Sequence, residues 1–194
     1  MLLFGDVIRL PFNSLISIPN IADMKNIIAA IAALLCLGPN AESDAETMFS
    51  LDYEQMVLLD AEELAETGIN EAYNKLLPVL RQYVNNPAQL SEIIDPDLPR
   101  YSVSSAGVIY DIYSPDTSDP EEASWGRATY ALFSIINNQL KNSNIRFYAI
   151  NAGNDLGGMF LTPQQVASAK RTLKRKTDWP YIPTLEYPWY GQFH

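Results

Sequence analysis

Carboxylates are the chemically capable residues of this sequence. Asp111 and Asp155 fall on or beside β-prone runs, and Glu121 with Glu122 opens a helical one. Two acids at a suitable separation suffice for glycoside hydrolysis, one donating a proton and the other acting as nucleophile or base. The spacing singles out no pair, and each of these residues also suits a capping or solvated role. Asp116 and Asp119 lie in a polar loop and are candidates for holding calcium, but the alternating ligand pattern of an EF-hand is missing. Gly153, Gly157 and Gly158 would let backbone N–H groups approach an anion. Neither the Walker spacing with its lysine nor GxGxxG is present, however, and a strand is predicted to follow, so a tight hairpin turn accounts for them better. A single cysteine, Cys36, and a single histidine, His194, leave no zinc set, no Ser-His-Asp triad with a buried imidazole and no Cys-His pair. No catalytic residue, metal or cofactor is expected.

The 194 residues carry 23 acidic and 13 basic side chains, for a net charge of -10. Affinity for phosphate backbones comes mainly from Lys and Arg releasing counterions, so this balance argues against nucleic acid as a partner. It suits a basic protein, although acidity also serves plain solubility. The charge is unevenly placed. From 42 to 122 there are 18 acidic residues against Lys75, Arg81 and Arg100, whereas Lys170, Arg171, Lys174, Arg175 and Lys176 fall within seven positions. On a helix, 170 with 174 and 171 with 175 are i,i+4 neighbours, which predicts one basic face. That face either answers the acidic helices of the same molecule or leaves an acidic patch exposed for a basic partner.

The elements that would position these residues begin after an ambiguous leader. Residues 27–37, IIAAIAALLCL, are uncharged and apolar but too short to span a bilayer. Met24 and Lys25 precede the run, and small residues follow it up to Ala41 and Ala45. Read from Met24, this has the three parts of a secretory signal peptide, which would place the mature protein in the periplasm or outside the cell and remove Cys36. The alternative for residues 1–41 is a buried N-terminal helix in a cytoplasmic protein. Residues 42–194 then form a single α+β domain, with N-terminal helices followed by a small, mainly antiparallel sheet and two further helices.

Within that domain, residues 50–84 read as helical, with capping-box spacing at Asp52/Gln55 and Asp60/Glu63, a break at Gly68 and a kink at Pro78. Residues 85–99, holding Pro87, Pro96 and Pro99, read as a loop. Two β-prone runs around Ala106-Gly107 predict a hairpin. Asp119-Pro120 with Glu122 marks the start of a core helix bearing Trp125, Ala128, Leu132, Ile135, Ile136 and Leu140. Residues 145–150 are apolar on both alternating faces, as for a strand covered on two sides. Thr162 to Gln165 opens a final helix with Val166, Ala169 and Leu173 inward. From 178 onward the chain is rich in proline and aromatics, a composition for extended geometry that either packs on its own domain or recognises a partner.

Taken together, Ser124-Trp125-Gly126-Arg127, the block from Arg146 to Thr162 and Thr177-Asp178-Trp179-Pro180-Tyr181 look like a proteobacterial family of small exported proteins. In architecture, a signal-like leader on a small acidic domain resembles the periplasmic immunity proteins that neutralise toxins delivered by type VI secretion. The resemblance covers residues 42–194 and carries no residue roles with it. It implies an inhibitor that occludes a basic protein partner. The residues predicted to face that partner are Asp116, Asp119, Glu121, Asn154, Asp155, Trp179, Tyr181 and Trp189. A structural domain of another role and a hydrolase using paired carboxylates are the alternatives.

Overall fold

In the computed structural model, which describes residues 50–95, 97–116 and 120–194, the first described element is a 3-10 turn at Tyr53–Gln55. It continues through β1 (Val57–Leu58), α1 (Ala61–Glu66), α2 (Ile69–Leu80), β2 (Leu90–Asp95), β3 (Arg100–Ser105) and β4 (Val108–Tyr113). Then come α3 (Glu121–Gln139), β5 (Arg146–Ile150), β6 (Gly157–Leu161) and α4 (Pro163–Thr172). The fold is α+β, with the strands among the described residues in two three-stranded antiparallel sheets, ordered β1-β6-β5 and β2-β3-β4. The signal-like segment and Cys36 lie outside the described residues. No described helix is long and apolar enough to cross a membrane.

Where the determinants are local, elements form as their residues dictate. Asp60 caps α1, its carboxylate accepting from the N–H groups of Glu62 and Glu63 at 2.9 and 3.1 Å. Thr162 and Gln165 form a complete capping box on α4, with Pro163 in its first turn. Ala106 and Gly107 both take positive φ, the geometry of the tightest hairpin turns, and join β3 to β4. Gly68, at φ +114°, has no side chain with which to cap α2. Glu92 of β2 does it from a distance, accepting from Ile69 N at 2.6 Å, Asn70 N at 3.0 Å and the Tyr101 hydroxyl at 2.5 Å.

Three expectations are corrected. Residues 50–60 are not helical: Asp52 caps only the 3-10 turn, and β1 follows. The proline-bounded stretch after Asn85 is not all loop, because Leu90–Asp95 pairs along its whole length with β3. It is an edge strand, the position in a sheet where a proline-bounded sequence can still pair. The last helix ends at Thr172 and Leu173 is extended, so Lys174, Arg175 and Lys176 do not continue a helical basic face.

Helix α3 touches both sheets, at β4 and β5, as well as α1 and α2. Its Leu132, Phe133 and Ile136 are fully buried with Tyr73 and Leu76 of α2 and Val103 of β3. Phe133 stacks on Phe147 of β5 at 4.5 Å, and Phe147 contacts Phe160 of β6 at 4.7 Å. A Cβ on Gly158 would lie 2.1 Å from the Phe147 ring, so this glycine serves packing. The opposite face of β5 and β6, through Ile150, Met159 and Leu161, packs on Val166 and Ala169 of α4. As predicted, β5 is covered on both faces.

The free edge of β5 is closed too. Asn137 of α3 presents its side-chain amide to Phe147, donating to its carbonyl at 2.9 Å and accepting from its N–H at 2.8 Å. Two residues on, Ala149 exchanges backbone bonds of 2.8 and 3.0 Å with Tyr181. A helix side chain and a tail residue together replace the missing neighbour strand, leaving no open ladder for another chain to join.

Candidate functional site

The 3-10 turn at Gly153–Asp155, the first turns of α3 and the C-terminal segment converge on one cleft. The turn is tied to α1 by Asn154, whose side-chain amide donates to Glu62 at 3.1 Å. The tail enters along β5 through Tyr181, then folds back on itself. Tyr190 N donates to the Glu186 carbonyl at 2.7 Å and Thr184 N to the Tyr190 carbonyl at 2.9 Å, so this stretch is a closed turn and not the extended segment its prolines predict. Gly126 fixes where it lands. A Cβ there would sit 2.2 Å from the Tyr190 ring, so only glycine lets that ring lie on the α3 backbone, and the Tyr190 hydroxyl bonds to the Ala123 carbonyl at 3.1 Å.

The resulting cleft has a volume of about 350 Å³, and its walls include Trp125, Tyr181, Tyr187, Trp189, Tyr190 and the carboxylate-bearing Glu122. Thr129 and Gln192 add neutral polar groups, and neither Lys nor Arg is among its described lining residues. The hydroxyls of Tyr181 and Tyr190 are held by backbone carbonyls, Tyr181 by that of Asn151 at 2.8 Å. Burial raises the Tyr181 pKa well above the ordinary tyrosine value. The Tyr181 phenol is therefore not poised for proton transfer. Beside the cleft the tail leaves Ile182, Leu185, Tyr187 and Trp189 exposed, next to Glu186. Trp189 is 49% exposed and stacks on His194 at 4.5 Å.

A second depression of about 480 Å³ adjoins the first through Trp125, which lines both, and brings Glu66, Glu121 and Arg127 together. Both glutamates are exposed. The Nε of Arg127 donates to the Ile112 carbonyl, anchoring α3 to β4. Among the described residues, no group of three or more His, Cys, Asp or Glu is placed to hold a metal ion.

The residues predicted to face a partner are thus divided. Trp189 lines the cleft, Asn154 and Asp155 stand exposed on the turn beside it, and Glu121 lies in the adjoining depression. Tyr181 also lines the cleft but is only 4% exposed, because pairing with Ala149 commits it to the sheet edge. Trp179 sits elsewhere, its indole donating to the Leu173 carbonyl at 3.1 Å and its ring set edge-on to Phe193. Lys170 lies 4.2 Å from the Phe193 ring centre, and burial holds its pKa below the ordinary lysine value. Asp116 is exposed after β4, and Asp119 lies outside the described residues. Gly126 and Tyr190 were not among the predicted residues. A glycine inside a strong helical pattern is the signal that marks them, since it costs helix stability unless something must approach closely. No protein-family model matches the chain, and no curated protein or solved structure matches it either.

Proposed function

We propose that this protein binds and occludes a basic protein partner, in the manner of an inhibitor or immunity protein. The observation that supports the reading best is the exposed apolar surface of the tail turn, Ile182, Leu185, Tyr187 and Trp189, with Glu186 in the same turn and Glu122 in the wall shared with Tyr187 and Trp189, while Arg127 borders Leu185 and Tyr187. Contiguous exposed apolar surface marks interaction sites, and Trp and Tyr are the residues that most often dominate their energetics. The surrounding carboxylates favour a cationic partner and would speed the encounter. Affinity capture from the native host, followed by reconstitution with the purified partner, tests this. The reading predicts a stoichiometric complex with a basic protein that loosens as salt rises and weakens at least about thirtyfold in Trp189→Ala, the low end for a hot-spot residue. Absence of any partner under gentle conditions would sink it.

A second reading, a hydrolase using paired carboxylates, has one observation in its favour: Glu66 and Glu121 share a depression. Screening the protein against glycoside substrates, with Glu66→Gln and Glu121→Gln as controls, decides it. Turnover abolished by either substitution would establish the hydrolase.

A further inference from the structure

The cleft beneath the tail turn combines three properties that seldom coincide without use. Its walls are aromatic, through Trp125, Tyr187, Trp189 and Tyr190; a carboxylate, Glu122, stands in the wall; and no lysine or arginine is among the described lining residues to neutralise it. Glu122 carries a full negative charge against the partial positive charge at the start of α3, so the cleft wall keeps a negative balance after the helix dipole is answered. Aromatic faces attract cations through their quadrupole, most strongly where water is partly excluded, and a neighbouring carboxylate adds to that attraction.

From this we infer that the cleft receives a guanidinium group, the side chain of an arginine presented by the partner. The inference rests on the binding reading above and assigns the chemistry of its recognition site. Guanidinium fits better than ammonium because it is planar, weakly hydrated and able to stack on a ring while donating in its own plane to a carboxylate. Glu122 supplies the acceptor, and the neutral oxygens of Thr129 and Gln192, also in the wall, can take the remaining donors. The tied hydroxyls of Tyr181 and Tyr190 leave those residues to contribute ring surface. A volume of about 350 Å³ holds one such side chain with the backbone that carries it.

The test titrates the intact protein with N-acetyl-arginine amide and with N-acetyl-citrulline amide, the uncharged analogue of nearly the same shape. The indole N–H signals of Trp125, Trp179 and Trp189 are followed by NMR. Arginine should shift Trp125 and Trp189 and leave Trp179 in place, binding at least about tenfold more tightly than citrulline. Glu122→Gln should weaken arginine about fivefold and leave citrulline unchanged. Equal binding of the two analogues, or arginine shifts confined to other surfaces, overturns the assignment. A partner captured by a protein that fails this titration would remove the cleft as its recognition site and keep the binding reading. Arginine binding without any partner would do the reverse.

Discussion

The sheet β1-β6-β5 is covered on one face by α3 and on the other by α4, and its β5 edge is closed by Asn137 and Tyr181. The sheet β2-β3-β4 buries one face only. On its other face Ile93 and Ile109 stand 61% and 69% exposed, spaced by Ser102 and Ser104 of the central strand. The first sheet is therefore held and protected by packing, and the second is kept from association by polar residues between isolated apolar ones. The tail that seals the first sheet also forms the candidate site. Candidate site and structural closure are thus one segment, so mutations there will be read correctly only if stability and affinity are measured separately.

The largest contrast should come from the edge strands β5 and β4 of the two sheets. Phe147→Ala removes a fully buried ring stacked between Phe133 and Phe160 and should cost about 3–5 kcal/mol. Ile109→Ala on the outer face should stay within about 0.5 kcal/mol. Urea denaturation of both variants checks this, and comparable losses would abolish the distinction between the sheets. Next in size, Gly126→Ala drives a methyl group into the Tyr190 ring and should cost between about 1 and 3 kcal/mol. Limited proteolysis should then cut after Tyr181 while β2 to β4 remain protected. Asn137→Ala leaves the Phe147 N–H and carbonyl without their amide partner, at a cost of about 2 kcal/mol, with faster hydrogen exchange confined to β5.

The smallest effect is alkaline and draws on both sheets. Burial raises the pKa of Tyr101, reinforced by its bond to Glu92, and burial also raises that of Tyr181. In the unfolded chain tyrosine ionises near pH 10. Above about that pH the unfolded state holds fewer protons than the folded one, so stability, complete below it, declines as pH rises. Tyr101→Phe and Tyr181→Phe should each flatten the decline in denaturation measured from pH 9 to 11. An unchanged slope in both would show that other groups cause it.

How much could be read in advance follows the same division between local and distant causes. The Thr162–Gln165 box, the Ala106-Gly107 turn and the apolar stripe of α3 are each complete within a few residues, and each was legible. Strand β2 was not, because Leu90–Asp95 becomes a strand only through pairing with β3 between flanking prolines. Tyr181 was legible as an aromatic tail residue, but its burial depends on Ala149, 32 positions earlier. In the site, Trp189 and the 153–155 turn could be picked out by composition. The Gly126–Tyr190 contact that brings them together spans 64 positions and left only an unexplained helix glycine as its trace.

The closure of β5 also has an order in time. A ribosome releases Phe147 and Ala149 before Tyr181 and Tyr190, so the strand emerges with Asn137 already available to one residue and nothing yet available to the other. Until the tail follows, the newborn chain presents a half-open ladder on its most apolar sheet. A chain cut or stalled before Tyr181 would keep that ladder open, and chaperones or other copies of itself would compete for the place the tail was to take.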